Sequence, residues 1–258
     1  MALSVFDQTY NELRKPIFYW TLVMVGVAGL IMLAFPLLDG PFDLDWLGAQ
    51  RSASFLFGYE VGQLRLSNLG DWLQAVGFGL FFPLLLSVYA SVVGSWLVAG
   101  EEERGSLGLL LAAPLARWRF MLEKSAVLLV SVLRPVLVLG LILWMMSLFG
   151  ASVSGLVNLL LGLFLLSLLF GALALAVGSF RGRQRLSLGV TLGGLLMAFA
   201  ISRLPPAHPV GQLLRLLSPV YHYEASATNP VFLLALLALV VICLVMAWVG
   251  FERRDLEV

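Results

Sequence analysis

Charge is scarce in this chain: of 258 residues only 12% are Asp, Glu, Lys or Arg, while 60% are hydrophobic and the mean hydropathy is +0.98. A soluble domain is roughly 25% charged, because polar side chains must cover its surface. A soluble enzyme, a nucleic-acid binder and a disordered linker are therefore excluded. Cysteine is nearly absent. The single Cys243 lies in an apolar run and supports neither an internal disulfide nor a Cys-based metal site. Histidine is also rare, with two in the chain, and no apolar run contains an acid, which argues against a membrane-embedded enzyme. The formal charge of +1 gives no bulk field for a polyanionic partner. No G-x-x-x-x-G-K-[ST] phosphate loop occurs, and the glycines of Gly189–Gly194 sit in an apolar run where they cannot cradle phosphate.

Long apolar runs are abundant. A helix crossing ~30 Å of hydrocarbon needs about 20 mostly apolar residues. Six runs qualify: Ile17–Leu38, Ala75–Ala99, Ser125–Phe149, Leu156–Phe180, Leu186–Ser202 and Val231–Gly250. None alternates with the two-residue period of a membrane barrel. The fold class expected is an all-α polytopic membrane protein of six transmembrane helices, with residues 1–258 as a single transmembrane domain. Basic residues set the orientation. One side collects Arg14, Lys15, Arg104, Arg117, Arg119, Lys124, Arg181, Arg183, Arg185, Arg253 and Arg254; the other has Arg51, Arg65, Arg203 and Arg215. This excess places both termini in the cytoplasm, and an even number of spans agrees with it. The location expected is the plasma or inner membrane.

The segments between the runs differ in character. Within residues 1–15, Leu3, Phe6, Tyr10 and Leu13 recur at helical spacing, which predicts an amphipathic helix in the cytoplasmic interface. Pro16 is then the position where the chain turns upward into the first span. The outer loop Asp39–Gln74 shows no catalytic or metal constellation, and Asp71 reads as an N-cap or first-turn acid of the second span. The cytoplasmic loop 100–124, GEEERGSLGLLLAAPLARWRFMLEK, places three acids before Arg104 and Gly105. A short apolar helix, Leu107 to Leu111, follows and stops at Pro114. An apolar helix exposed to cytosol needs something to cover it.

Arg134 lies about ten residues into the third run, roughly 14 Å deep. A charge at that depth costs several kcal/mol unless hydrated or paired. Pro135 frees a carbonyl one turn earlier as an acceptor for the guanidinium. Arg134 is thus either a point on a transport path or an arginine that snorkels or bonds to backbone. Gly189-x-x-x-Gly193 in the fifth run, with Gly26 and Gly29 in the first, marks either a dimer contact or packing within one chain. The outer segment 203–230 holds an apolar stretch too short to span, Val210–Leu217, which fits a re-entrant or interfacial helix. His208, His222 and Glu224 have no diagnostic metal-ligand spacing, so no metal is expected.

The loop at Glu101–Lys124 resembles that of permease subunits of ABC-2 type ATP-driven transporters. Glu101, Glu103, Gly105, Leu107, Leu110, Leu111, Pro114, Arg117 and Lys124 stand at the places of the family pattern, with Ser106 for a threonine and Ala116 for a serine. The run Leu217–Tyr223 is also similar to members. The resemblance implies that the loop is a coupling helix seated in a groove of a separate ATPase subunit, with Arg104 beside it. It implies two permease and two ATPase subunits, a second permease copy being either identical or a close paralogue. It implies that ATP and Mg are held by the partner and not by this chain. Cargo carried by such permeases includes lipids, drugs, antibiotics and glycans, mostly moved outward. The lack of charge in the spans favours a hydrophobic or amphipathic one. The alternative is a membrane scaffold or assembly factor with this fold that moves no solute.

Overall fold

The computed structural model describes residues 5–38, 68–105, 117–148, 153–204, 209–227 and 229–253, and within them the ordered elements are helical, with no strand. In chain order they are α1 (Val5–Leu38), α2 (Leu69–Glu103), α3 (Arg117–Ser147), α4 (Leu156–Arg181), α5 (Gln184–Ser202), α6 (Pro209–Leu217), α7 (Pro219–Ser226) and α8 (Val231–Glu252). Six of these, α1 to α5 and α8, are long and apolar enough to cross a membrane. They coincide with the six runs read from the sequence.

Three helices overrun the hydrocarbon. At 1.5 Å per residue, the 34 residues of α1, the 35 of α2 and the 31 of α3 make about 51, 52 and 46 Å. About 30 Å suffices to span. The surplus of α1 is at its N-terminal end, that of α2 includes its acidic C-terminus, Glu101–Glu103, and the start of α3 lies level with the end of α8. These ends of α1, α2 and α3 meet.

Pro16 is not the first residue of the helix as expected: α1 starts at Val5 and runs through Pro16, and Pro36 is also internal to it. Proline removes one backbone bond and normally kinks a helix. Here Val5, Thr9, Leu13, Ile17, Met24 and Ala28 form one buried stripe on both sides of Pro16. Because α1 lies along α3, packing keeps the helix continuous across Pro16.

The core is built around α4, which packs on α2, α8, α5, α3 and α7. Glycine makes the closest approach possible. A Cβ at Gly94 in α2 would lie 2.1 Å from the Gly171 carbonyl oxygen of α4, so the two backbones touch directly. Gly162 likewise leaves room for Ser226 and Tyr223 of α7, and Gly250 of α8 for the Phe180 ring. At the start of α2, Asn68 is the N-cap and Asp71 the first-turn acid. The Asn68 side chain accepts from the Asp71 amide at 2.8 Å and donates to its carboxylate at 2.8 Å.

Two stretches of α2, Leu73–Phe81 and Trp96–Gly100, are π-helical. The first ends at Phe81, two residues before Pro83, which has no N–H to donate. Phe82 N–H still bonds to the Gly77 carbonyl in the i→i−5 register, so Pro83 withholds the donor that Phe78 would have had, and the return to i→i−4 bonding skips the carbonyl of Gly79. Tyr223 Oη donates to the Phe78 carbonyl at 2.8 Å, and Arg203 Nη2 donates to that of Gly79 at 2.8 Å. Residues from α7 and the end of α5 thus complete the backbone of α2.

Candidate functional site

The end of the bundle where α1, α2 and α3 overrun is held by buried polar contacts. Lys124, fully buried on α3, forms an ion pair with Glu101 of α2. Its Nζ also donates to Thr9 Oγ1 of α1 at 2.8 Å. One lysine thus joins three helices. The neighbouring Glu123 accepts from the Phe6 amide at 2.9 Å, near the start of α1, and from Arg119 Nε at 3.1 Å. The Phe6 contact holds the N-terminal part of α1 against α3, while the Arg119 contact is an i,i+4 pair within α3.

Glu103, two residues beyond Glu101, reaches α5. Its Oε1 accepts from the Gln184 amide at 2.8 Å, where α5 has no side-chain cap of its own. A carboxylate at that position satisfies an orphan donor and complements the helix dipole. Arg104 stacks over the Trp96 ring at 5.4 Å. Gly105 then ends the helix at φ +73°, a left-handed conformation that glycine adopts without a Cβ clash. Of the residues singled out in the loop, Glu101, Glu103, Arg104 and Gly105 are brought together here. Leu107, Leu110, Leu111 and Pro114 lie outside the described residues. Arg117 opens α3, and its Nη1 reaches the Glu252 carbonyl at the end of α8 at 3.5 Å. The end of α8 therefore lies on the same side as the start of α1.

The Pro135 carbonyl partner is not the one expected. The Ser131 oxygen, freed by Pro135, faces Tyr89 of α2, whose hydroxyl donates to it at 3.4 Å. Tyr89 is buried between helices and reaches the site first, whereas Arg134 points to the exposed side of α3, the side that also carries Leu137 and Leu141. Among the described residues Arg134 makes no hydrogen bond or ion pair. It does not line the cleft of about 410 Å³ between α1 and α2. That cleft is walled by Pro16, Trp20, Tyr89 and Trp96, with Glu12 and Arg104 contributing its charge.

The glycines chosen from sequence are not the ones that pack. Around Gly26, Gly29, Gly189 and Gly193 a Cβ would meet nothing within 4 Å. They face outward on α1 and α5, the two helices that flank α2 and contact it. Close contacts inside the chain are made instead at glycines such as Gly94, Gly171, Gly162 and Gly250. No spacing rule marks these, because closeness depends on which helix lies opposite.

The other end of the bundle carries a second ion pair, between Arg203 and Glu224. Arg203 also lies over the Phe199 ring at 5.8 Å. Burial raises the Glu224 carboxyl to about 7, against the opposing pull of Arg203. Ser218 Oγ donates to the Ala198 carbonyl at 2.7 Å, fixing the α6–α7 corner to α5. His222 Nε2 is 2.8 Å from the Leu216 carbonyl. Among the described residues no group of three or more His, Cys, Asp or Glu side chains is placed to hold a metal, and His208 lies outside them.

Residues 14–256 match the family model described as ABC-2 family transporter protein, which is nearly the whole chain. No curated protein matches it. Permeases of this family generally work with an ABC ATP-binding subunit. With six apolar helices on one core, the chain belongs to the ABC-2 transporter family and is a multi-pass membrane permease, a transport subunit rather than an enzyme.

Proposed function

We propose that this permease exports a hydrophobic or amphipathic cargo from the cytoplasmic side, driven by ATP that a separate subunit hydrolyses with Mg. The supporting observation is the buried joint of Glu101, Lys124 and Thr9. It ties the ends of α1, α2 and α3 together at the point where the chain enters residues 106–116. A push on that loop is transmitted to three spans and, through Glu103, to the start of α5. The coupling surface in this reading is Leu107, Leu110 and Leu111, with Glu101, Glu103, Arg104, Gly105, Pro114 and Arg117 around it. Both termini are cytoplasmic, residues 1–15 lie at that interface, and residues 203–230 form the outer re-entrant segment.

The cleft between α1 and α2, with aromatic walls and one acid and one base, suits a cargo with an apolar body and a polar end. Two copies of the permease meet through the open faces of α1 and α5, at Gly26, Gly29, Gly189 and Gly193. Leu110→Asp tests the coupling role. It is expected to strip the ATPase from detergent-purified complexes while the permease elutes as a folded species. Retained association with cargo-stimulated ATP turnover would refute it.

A further inference from the structure

An apolar groove of about 450 Å³ runs between the start of α3 and the end of α8. On α3 it extends from Trp118 to Ser125, and on α8 from Trp248 back to Val241. The helices are antiparallel here, so both tryptophans stand at the same end. The seven-residue intervals correspond to about 10 Å of depth. Met121, Leu122, Leu244 and Val245 make the walls. The one hydroxyl in it, Ser125 Oγ, donates to the Met121 carbonyl at 2.8 Å. Below the two indole N–H groups at its mouth the groove offers a polar guest no spare donor.

The groove is graded from charged to apolar. Arg117 and Arg119 flank Trp118, and Arg253 follows α8 five residues after Trp248. The Arg119 side chain is 61% exposed. Against these stand two acids. Glu123 is occupied by Arg119 and the Phe6 amide, and Glu252 is exposed. Paired tryptophans at one level of a membrane protein mark the headgroup boundary. Basic side chains just beyond that level attract anionic headgroups.

We infer that this groove binds an anionic phospholipid, with its acyl chain between α3 and α8 and its phosphate at the level of Arg119 and Arg253. The inference rests on the membrane placement of the chain and on these residues, and it is independent of the cargo and of the ATPase.

The test uses the full-length permease in phosphatidylcholine vesicles with dibrominated phosphatidylglycerol or dibrominated phosphatidylcholine added at equal mole fraction. Bromine quenches nearby tryptophan. The chain has 7 tryptophans, so the groove signal is the difference between wild type and W118F/W248F. That difference should titrate at a lower mole fraction of the glycerol lipid, by about fivefold per engaged arginine. The preference should shrink in R119Q/R253Q, and in wild type at high salt, which needs no variant to fold. Equal quenching by both lipids would overturn the inference. So would a preference unchanged by salt and by R119Q/R253Q, or the absence of quenching by either lipid, as expected if a protein segment fills the groove.

Discussion

Lys124→Met should be among the most destabilising single changes in this chain. Lys124 has 0% exposure and Glu101 5%, so neither charge is screened by water. At an effective dielectric of 20, two charges about 4 Å apart interact by roughly 4 kcal/mol, and much of that offsets the cost of desolvating both. Removing one partner leaves the other buried without compensation, at about 3–5 kcal/mol. For a chain of this size 1 kcal/mol corresponds to about 2–4 °C, so the expected fall in Tm is about 6–20 °C. Lys124→Met and Glu101→Gln should each show it, and the double variant should regain at least half of the summed loss. The assay is thermal unfolding in detergent at one fixed scan rate, because membrane proteins seldom unfold reversibly. Strict additivity of the two losses, or a Lys124→Met variant as stable as wild type, would refute the reasoning.

Glycine substitutions separate packing within the chain from packing between chains. Gly94→Leu should abolish folded expression, since its Cβ alone would already press on the Gly171 carbonyl, while Gly189→Leu with Gly193→Leu should leave the monomer folded and weaken dimerisation, read by cross-linking and size-exclusion chromatography. For Glu224 the sign follows from linkage. Its folded value of about 7 lies above the ordinary 4.5, so between those values the folded state holds a proton that the unfolded chain has lost. Stability should therefore fall as pH rises from about 4.5 to 7, and Tm measured across that range should flatten in Glu224→Gln. Arg134→Met removes a charge that makes no hydrogen bond or ion pair among the described residues. If Arg134 lies on the transport path, cargo-stimulated ATP turnover should drop at unchanged Tm; lower stability with normal turnover would mean that it is a packing group only.

The spans were legible because a membrane imposes a length and a composition that a single chain cannot disguise. The acids at Glu101 and Glu103 were legible as a group through the loop pattern. Their partners were not. Lys124 lies 23 residues from Glu101, and Thr9 lies 115 from Lys124, so nothing local joins them. Pro135 announced a vacant carbonyl but not its donor, because Tyr89 arrives from another helix. Pro16 looked like the first residue of a helix because proline disfavours a helix interior. What overrode that preference was the buried stripe from Val5 to Ala28, which acquires meaning once α3 is known to lie beside it.

The two carbonyls left open where the π-helical stretch meets Pro83 have a bearing on how the chain is made. Their donors, Tyr223 and Arg203, lie 145 and 124 residues further along the chain. At about 5–20 residues per second, α2 waits roughly 7–30 s for Tyr223 to be synthesised. An unsatisfied backbone group in hydrocarbon costs several kcal/mol, so in that interval the Pro83 region of α2 must be held near water or against the insertion machinery. Insertion of α2 is therefore provisional, and the segment that closes it emerges more than a hundred residues later. The short helices between α5 and α8, which cross nothing, act as the final clasp of biogenesis.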